Sequence, residues 1–190
     1  SQGALPTYTA MDYAIEMAKK TGIAAVGVTN SSHFGPAGAY TLYAAKKNMI
    51  ALAFCNSDSF VRLYDGAERF HGTNPISMAV PTGGSNPWLF DMATSSVPFN
   101  RVELYRSLNQ KLPSDVASDV SGNSTEDPHI AEMLDPLGAK FGFKGAGLGG
   151  VSEILSAVLT GMKLSPELLP MSGPDMTTPR ELGAFVIAID

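Results

Sequence analysis

The stretch that decides the fold is IAAVGVTNSSHFGP, residues 23–36. Its first part, residues 23–28, is continuously apolar, which predicts a buried strand. The polar residues 29–35 predict a loop, and Pro36 suits the first turn of a following helix. Ligands of α/β sheets bind at loops that follow the strands. The stretch therefore predicts both a sheet and a place for a site.

The elements on both sides extend this pattern. Residues 10–20 carry apolar side chains at helical spacing, and Gly22 is expected to stop that helix. The helix after Pro36 is expected to end near Asn48, and residues 49–55 form a second apolar strand. The order helix, strand, helix, strand indicates a sheet covered by helices on its faces.

The second half of the chain predicts a hairpin, a long helix and a final strand. Residues 75–80 and 88–92 are typical of neighbouring strands joined by a turn, whereas residues 97–128 are expected to be irregular. Residues 145–161 predict a helix and residues 183–189 a buried strand. The helix is expected to bury its apolar side chains, which are Leu148, Val151, Ile154, Leu155, Val158 and Leu159.

The composition argues against several classes of protein. With 44% hydrophobic and 16% charged residues, a chain of 190 residues can form a globular core. The net charge of -5 argues against a nucleic-acid partner, and no apolar run is long enough to span a membrane. The single cysteine, Cys55, excludes an internal disulfide, and a cytoplasmic location is expected by default.

The run GAGLGG at residues 145–150 has the G-x-G-x-x-G spacing of Rossmann folds. A Rossmann turn follows a strand, but residues 138–144 do not resemble one, and the next acid, Glu167, lies in a loop. We therefore expect these glycines to let the helix approach a neighbour or ligand closely. Lys144, beside the free N–H groups of the helix start, is a candidate phosphate contact.

Polar loops flank the predicted strands at residues 31–35, 56–58, 72–75 and 91–95. Each of these loops also has a plain explanation. His33 can cap a helix or sit in the core, Asp58 and Asp91 can be turn acids, and residues 73–75 can form a simple turn. His71 is expected to be structural or exposed. Taken singly, none of these loops identifies a site.

Together, these segments resemble the malate/L-lactate dehydrogenase family, which also holds ureidoglycolate and sulfolactate dehydrogenases. The likeness rests on the order and spacing of residues 14–35, of the three later polar loops, and of Lys144 and Gly145 with their helix. It implies a three-layer α/β/α domain with a mixed sheet, distinct from the Rossmann fold. It also implies a homodimer that uses NAD or NADP.

The resemblance implies roles for individual residues. His33 falls on an acid/base or substrate-contacting position, and Asp58 falls near the substrate. The cofactor-contacting positions are His33, Phe34, Gly35, Ser57, Thr73, Asn74, Asp91, Met92, Ala93, Lys144 and Gly145. A metal hydrolase built on histidines and aspartates is disfavoured, because no metal-ligand spacing is present.

The expected reaction is hydride transfer between NAD(P) and a small 2-hydroxy or 2-oxo acid. Reduction of a 2-oxo acid builds negative charge on its carbonyl oxygen, and histidine can supply the proton or orient the substrate. We expect His33 to perform this task and Asp91 to orient its imidazole. The alternatives are a cyclic imino acid reductase and a nucleotide-binding fragment without chemistry.

The chain is expected to be one cofactor-binding domain over residues 1–190, without the N- and C-terminal helical parts of family chains. Some members use a further histidine of the N-terminal part for catalysis, and His33 would then be a supporting contact. Residues 99–101, Phe-Asn-Arg, stand where many relatives have Trp-Gly-Lys. We expect Arg101 either to contact a cofactor phosphate or a substrate carboxylate, or to be a solvated surface residue.

Overall fold

Two sheets and four α-helices make up the fold in a computed structural model, which describes residues 2–190. Along the chain, the elements are α1 (Ala4–Thr21), β1 (Ile23–Ser31), α2 (Gly38–Ala45), β2 (Ile50–Cys55), β3 (Val61–Arg62), β4 (Arg69–His71), β5 (Ile76–Val80), β6 (Trp88–Met92), α3 (Phe99–Ser107), β7 (Ala117–Ser118), β8 (Met133–Leu134), α4 (Phe143–Glu153) and β9 (Leu182–Ile189). A π-helical turn, Ile154–Val158, continues α4.

The larger sheet has five strands in the order β1-β9-β2-β5-β6, and each neighbouring pair is antiparallel. The smaller sheet has the order β4-β3-β8-β7, and its β3–β8 pair is parallel. Both parallel and antiparallel pairs therefore occur, the parallel one in the smaller sheet. Among residues 2–190, no helix has the length and apolar character that crossing a membrane requires.

Helices cover both faces of the larger sheet. Helices α1 and α2 pack on one face through a core that includes Met11, Ile15, Tyr40 and alternate residues of β9, among them Val186. On the opposite face, Gly183 of β9 contacts the π-helical turn that follows α4. This arrangement confirms the predicted three-layer α/β/α class.

Several predicted boundaries are confirmed. Gly22 ends α1 with a φ of 83°, and its N–H donates to the Ala18 carbonyl. Strands β5 and β6 form the predicted hairpin, and β9 is an inner strand between β1 and β2. Helix α1 begins earlier than predicted, at Ala4, and β1 continues to Ser31.

Three sequence predictions are wrong, the first two at β1 and α3. Residues 23–28 are not a buried strand, since Ile23 is 57% exposed and β1 lies at the edge of its sheet. An apolar run does not reveal whether a strand is central or peripheral. Residues 97–128 are not wholly irregular, because α3 begins at Phe99. That helix buries only Val102, so the sequence shows no apolar period there.

The predicted inward face of α4 is also wrong. Leu148, Val151, Ile154, Val158 and Leu159 are exposed, while the buried residues of α4 and its π-helical turn are Gly145, Gly149, Ser152, Glu153, Ser156 and Ala157. The helix lies so close to the sheet that a Cβ on Gly183 would be 1.6 Å from the Ser156 carbonyl oxygen. Only small side chains fit at this contact, and their hydroxyls are satisfied locally, as when Ser152 Oγ donates to the Cys55 carbonyl at 3.0 Å.

Candidate functional site

Four polar loops meet around one cavity of about 440 Å³ at the end of the larger sheet. The predicted site residues that line it are His33, Phe34, Gly35, Ser57, Asp58, Thr73, Asp91, Met92 and Ala93. A second cavity of about 550 Å³ shares His33, Ser57, Asp58 and Thr73 with the first. Cavities of this size with apolar walls and a few polar groups are typical of small-molecule and cofactor sites.

The loop that carries His33 is held from both sides. Tyr40 of α2 is buried, and its Oη donates to the Phe34 carbonyl. Burial raises the pKa of Tyr40 to about 12, so its hydroxyl remains a donor at neutral pH. On the other side, the Gly3 N–H donates to the His33 carbonyl at 3.2 Å. Helices α1 and α2 therefore fix the loop that presents the imidazole.

The imidazole of His33 is exposed at the rim of the cavity, and its Nδ1 accepts the Gly35 N–H at 3.0 Å. A positive φ of 77° at Gly35 lets the chain turn back to make this bond. With Nδ1 as acceptor, we infer that the hydrogen of the neutral ring lies on Nε2. The side chain is thus not buried in the core.

Asp91 has a different partner from the one expected. Its Oδ2 accepts the backbone N–H of Gly38 at 2.8 Å, and no hydrogen bond joins it to His33 among the described residues. Gly38 is the first residue of α2, where free N–H groups and the helix dipole favour a carboxylate. Asp91 therefore anchors the start of α2 while it lines the cavity. The expectation that it orients the imidazole is not met in this geometry.

Asp58 connects the cavity to a segment that the sequence did not single out. The side chain is buried, and its Oδ2 accepts the Met171 N–H at 2.8 Å. Met171 lines both cavities. It lies in a proline-rich stretch with no apolar period, so no local signal pointed to it.

Ser57 and Thr73 are locked to each other. Ser57 Oγ accepts the Thr73 N–H at 3.1 Å, and the Ser57 N–H donates to Asn74 Oδ1 at 3.3 Å. A Cβ on Gly72 would lie 2.2 Å from Ser57 Oγ, so this close approach requires glycine. Asn74 is fully buried and does not line the cavity directly. It supports the two cavity residues from behind.

Glu153 lies behind Asn74 and was missed by the sequence reasoning. Its carboxylate is 6% exposed and accepts hydrogen bonds from Asn74 Nδ2 at 2.6 Å and from Ser165. Burial by itself raises the pKa of this carboxyl, but hydrogen bonds from His71, Ser165 and Asn74 outweigh it and hold the pKa below its ordinary value. The signal that could have found it was a lone acid within an otherwise apolar helix.

The remaining predicted residues do not reach the cavity. Arg101 is exposed on α3, and Lys144 is exposed at the start of α4 with its Nζ 5.3 Å from the centre of the Phe141 ring. Gly145 packs against Leu137, where a Cβ would lie 2.2 Å from the carbonyl oxygen. These contacts support the expectation that the glycines allow close packing.

The GAGLGG run lacks the setting of a Rossmann turn. A short 3₁₀ helix, Ala139–Phe141, precedes it instead of a strand. Fold and site together therefore define an α/β protein with a non-Rossmann cavity of the size that small organic ligands occupy. The chain belongs to the malate/L-lactate dehydrogenase family, whose sequence pattern matches residues 1–190.

Two curated relatives illustrate the match. Malate dehydrogenase of Pyrococcus abyssi is 43% identical over 166 residues, which cover 84% of this chain and 46% of that protein. Ureidoglycolate dehydrogenase (NAD(+)) of Escherichia coli O157:H7 is 34% identical over 180 residues, 95% of this chain and 50% of that protein. The chain thus spans about half the length of these relatives.

Solved structures share the fold. Malate dehydrogenase from Entamoeba histolytica superposes with a TM-score of 0.86 at 33% identity, covering 96% of this chain and 54% of that one. Delta1-piperideine-2-carboxylate reductase from Pseudomonas syringae pvar. tomato gives a TM-score of 0.85 at 28% identity, covering 96% and 55%. The fold is therefore similar to both a hydroxy-acid dehydrogenase and an imino acid reductase.

Proposed function

We propose that the protein transfers a hydride between NAD or NADP and a small 2-hydroxy or 2-oxo acid. The observation that carries this proposal is the convergence of His33, Ser57, Asp58 and Thr73 on one cavity. Membership of a dehydrogenase family supports it. The chain spans about half the length of its relatives, so the activity of the whole protein is part of what we propose.

A nicotinamide cofactor fits the chemistry of the cavity walls. Apolar surface from Phe34, Met92, Pro98 and Met171 suits a planar ring, and the hydroxyls of Ser57 and Thr73 suit amide or ribose groups. The remaining proposed contacts to the cofactor are Gly35, Asp91, Ala93 and Lys144, whereas Asn74 and Gly145 are buried outside the cavity lining and would shape the site from behind. Once bound, the cofactor supplies the hydride. Lys144 would have to contact a part of the cofactor outside the cavity.

We propose that His33 donates a hydrogen bond from Nε2 to the substrate oxygen that gains charge. Its Nδ1 is already bonded to the Gly35 N–H, which leaves Nε2–H as the free donor at the rim of the cavity. This geometry supports the substrate-orienting role among the two roles expected for His33. Asp58 lines the same cavity, and Arg101 contacts substrate only if α3 moves toward the cavity.

The test is a fluorescence titration of the protein with NADH and NADPH, followed by turnover assays. Pyruvate, oxaloacetate and other 2-oxo acids form one substrate set, and cyclic imino acids form the other. Cofactor binding with oxidation driven by a 2-oxo acid is the expected result. Failure to bind either cofactor would overturn the proposed function.

The structural likeness to an imino acid reductase supports a second candidate function, reduction of a C=N bond in the same cavity. Turnover with cyclic imino acids and none with 2-oxo acids would establish it. Cofactor binding without any turnover would instead identify a nucleotide-binding portion that needs residues supplied from elsewhere. Testing both substrate sets therefore distinguishes a 2-oxo acid dehydrogenase, an imino acid reductase and a nucleotide-binding portion without turnover.

We also propose that the protein is a cytoplasmic homodimer. Apolar side chains exposed along α4 and the turn that follows it, among them Val151, Val158 and Leu159, are of the kind that mark association surfaces. Cys55 is a buried free thiol, in keeping with a reducing compartment. Sedimentation equilibrium should give twice the 20.0 kDa of this chain, and cell fractionation should recover the protein with cytoplasmic markers.

A further inference from the structure

A buried carboxylate, Glu153, lies one layer behind the cavity and accepts hydrogen bonds from two directions. Oε2 accepts Asn74 Nδ2 at 2.6 Å and Ser165 Oγ at 2.7 Å, while Oε1 accepts the Ser165 N–H at 2.5 Å. His71 Nδ1 lies 3.4 Å from Oε2. Glu153 is the last residue of α4 before the π-helical turn, a distortion that is frequent at functional sites.

The first direction leads to the cavity wall formed by Ser57 and Thr73. Asn74 Nδ2 is shared between Glu153 and the Gly149 carbonyl, so the amide oxygen points the other way. That oxygen accepts the Ser57 N–H, and Ser57 Oγ in turn accepts the Thr73 N–H. An unbroken chain of hydrogen bonds therefore connects the carboxylate to two residues that line the cavity.

The second direction leads to the segment that carries Met171, which also lines the cavity. Ser165 is fully buried, and both its backbone N–H and its hydroxyl donate to Glu153. Six residues later, Met171 lines both cavities and donates its N–H to Asp58. The segment between Ser165 and Met171 is thus tied to Glu153 at one end and to Asp58 at the other.

We propose that Glu153 is a positioning residue that holds the Ser57–Thr73 wall and the Met171 wall at the spacing that cofactor binding requires. It does not line the cavity, so it acts through Asn74 and Ser165. The functional half of this proposal rests on the proposed function. The structural half, the ordering of two walls by one carboxylate, stands independently of it.

The chemistry of the contacts explains why a carboxylate occupies this position. Asn74 Nδ2 and the Ser165 N–H are both donors, and only a group with two acceptor oxygens satisfies them together. A glutamine side chain offers one acceptor oxygen and one NH2 donor. In either orientation its NH2 group would face Asn74 Nδ2 or the Ser165 N–H, which are themselves donors. Glu153→Gln should therefore keep the volume of the side chain and still loosen the two walls.

Hydrogen–deuterium exchange of the full chain tests the structural half. In Glu153→Gln, exchange should rise in peptides covering residues 57–58, 72–74 and 165–171, while α1 and β9 keep their wild-type protection. Glu16→Gln is the matched control, since Glu16 is an exposed acid on α1 paired with Lys19. Unchanged exchange at the two walls, or a uniform rise throughout the chain, would overturn the proposal.

NADH titration and steady-state kinetics test the functional half. The Kd and KM for the cofactor should rise about tenfold to a hundredfold, as expected when a hydrogen bond to a charged group is lost. The kcat should change much less, because no reacting atom is touched. A fall in kcat with unchanged KM would contradict the positioning role.

The two kinds of failure are distinguishable. If the wild-type protein binds neither NADH nor NADPH, the proposed function fails, and the exchange pattern still decides whether Glu153 orders the walls. If Glu153→Gln does not fold, Ser165→Ala removes one donor and should raise exchange in residues 165–171. Wild-type exchange in Ser165→Ala would then count against the proposal.

Discussion

The side chains around the cavity are fixed by backbone groups more than by one another. His33 accepts the Gly35 N–H, Asp91 accepts the Gly38 N–H and Asp58 accepts the Met171 N–H. Backbone donors on short loops hold acceptors at defined positions with little conformational freedom. Each of these groups depends on a different backbone donor, so single substitutions should have separable effects.

The first prediction concerns His33. His33→Ala should lower kcat/KM for a 2-oxo acid by about 10²- to 10³-fold, the loss expected when a donor to a developing negative charge is removed. Steady-state kinetics measure this effect. His129→Ala is the control, because His129 is exposed and bonded to Asn109 away from the cavity. Full turnover by His33→Ala would remove His33 from the mechanism.

The second prediction uses the same substitution at two glycines. A Cβ on Gly38 would lie 2.6 Å from Asp91 Oδ2, so Gly38→Ala should displace the carboxylate and reduce the free energy of unfolding by about 1–3 kcal/mol. Gly147, exposed on α4 with nothing near its missing Cβ, should gain about 1 kcal/mol from helix propensity in Gly147→Ala. Denaturant unfolding of both variants measures the difference. Equal effects would show that Asp91 does not anchor α2.

The third prediction concerns acid stability. Hydrogen bonds hold the pKa of Glu153 below its ordinary value of 4.5, so its charged form contributes stability above pH 4.5. That contribution is lost as the pH falls through the lower, folded-state pKa. The free energy of unfolding should therefore decline more steeply in wild type than in Glu153→Gln below pH 4.5. An equal decline of the free energy of unfolding with falling pH in the two proteins would contradict this assignment.

At the scale of elements, α4 shows that the most apolar face of a helix is not always the buried one. The contact of α4 and its π-helical turn with the larger sheet is made by Ser152, which donates to the Cys55 carbonyl, and by Ser156, which lies against Gly183 of β9. Close backbone approach lets the polar hydroxyls bond to nearby carbonyls, so their burial costs little. The exposed apolar side chains are left for other contacts.

The fourth prediction follows from this packing. Ser156→Leu should destabilise the protein by about 1–3 kcal/mol or more, because Ser156 is fully buried against Gly183. In the monomer, Leu159→Ser should change the free energy of unfolding by no more than about 0.5 kcal/mol, because Leu159 is 63% exposed in the single chain. Thermal unfolding at matched protein concentrations provides the comparison. If Leu159→Ser destabilised the protein more than Ser156→Leu, the prediction that this helix buries its apolar side chains would be supported instead.

At the scale of the whole molecule, two hydrophobic clusters lie on either side of the site. One includes Met11 and Val186 beneath the larger sheet, and the other includes Val102 and Leu134 beside the smaller sheet. Segments from both sides line the cavities, as His33 and Phe99 do in the second one. We propose that residues 1–190 unfold as one domain, since the shared site couples the two clusters.

The fifth prediction tests that coupling. Leu134→Ala creates a cavity in the second cluster and should cost about 2–5 kcal/mol. The fluorescence of Trp88, the single tryptophan, reports on the larger sheet. In Leu134→Ala, the unfolding midpoint measured by Trp88 fluorescence should fall by the same amount as the midpoint measured by far-UV circular dichroism. Two separated transitions would instead indicate two domains.

The sequence by itself determined the strands of the larger sheet, the helices α1, α2 and α4, and the loops that carry polar groups. Gly22 as a helix stop, the β5–β6 hairpin and the apolar run of β9 are local signals, and each was predicted correctly. The likeness to a dehydrogenase family also pointed to the residues that meet at the cavity. Such signals succeed because backbone preferences and side-chain periodicity act over a few neighbouring residues.

Only the tertiary structure decided the exposure of β1, the buried face of α4 and the partner of Asp91. It alone revealed Glu153 as the carboxylate behind both walls of the cavity, and Met171 as part of one wall. These features depend on segments far apart in the chain, such as Asn74 and Ser165 on one carboxylate. Local periodicity cannot record them, because burial and hydrogen bonding are set by whichever surface the fold brings into contact.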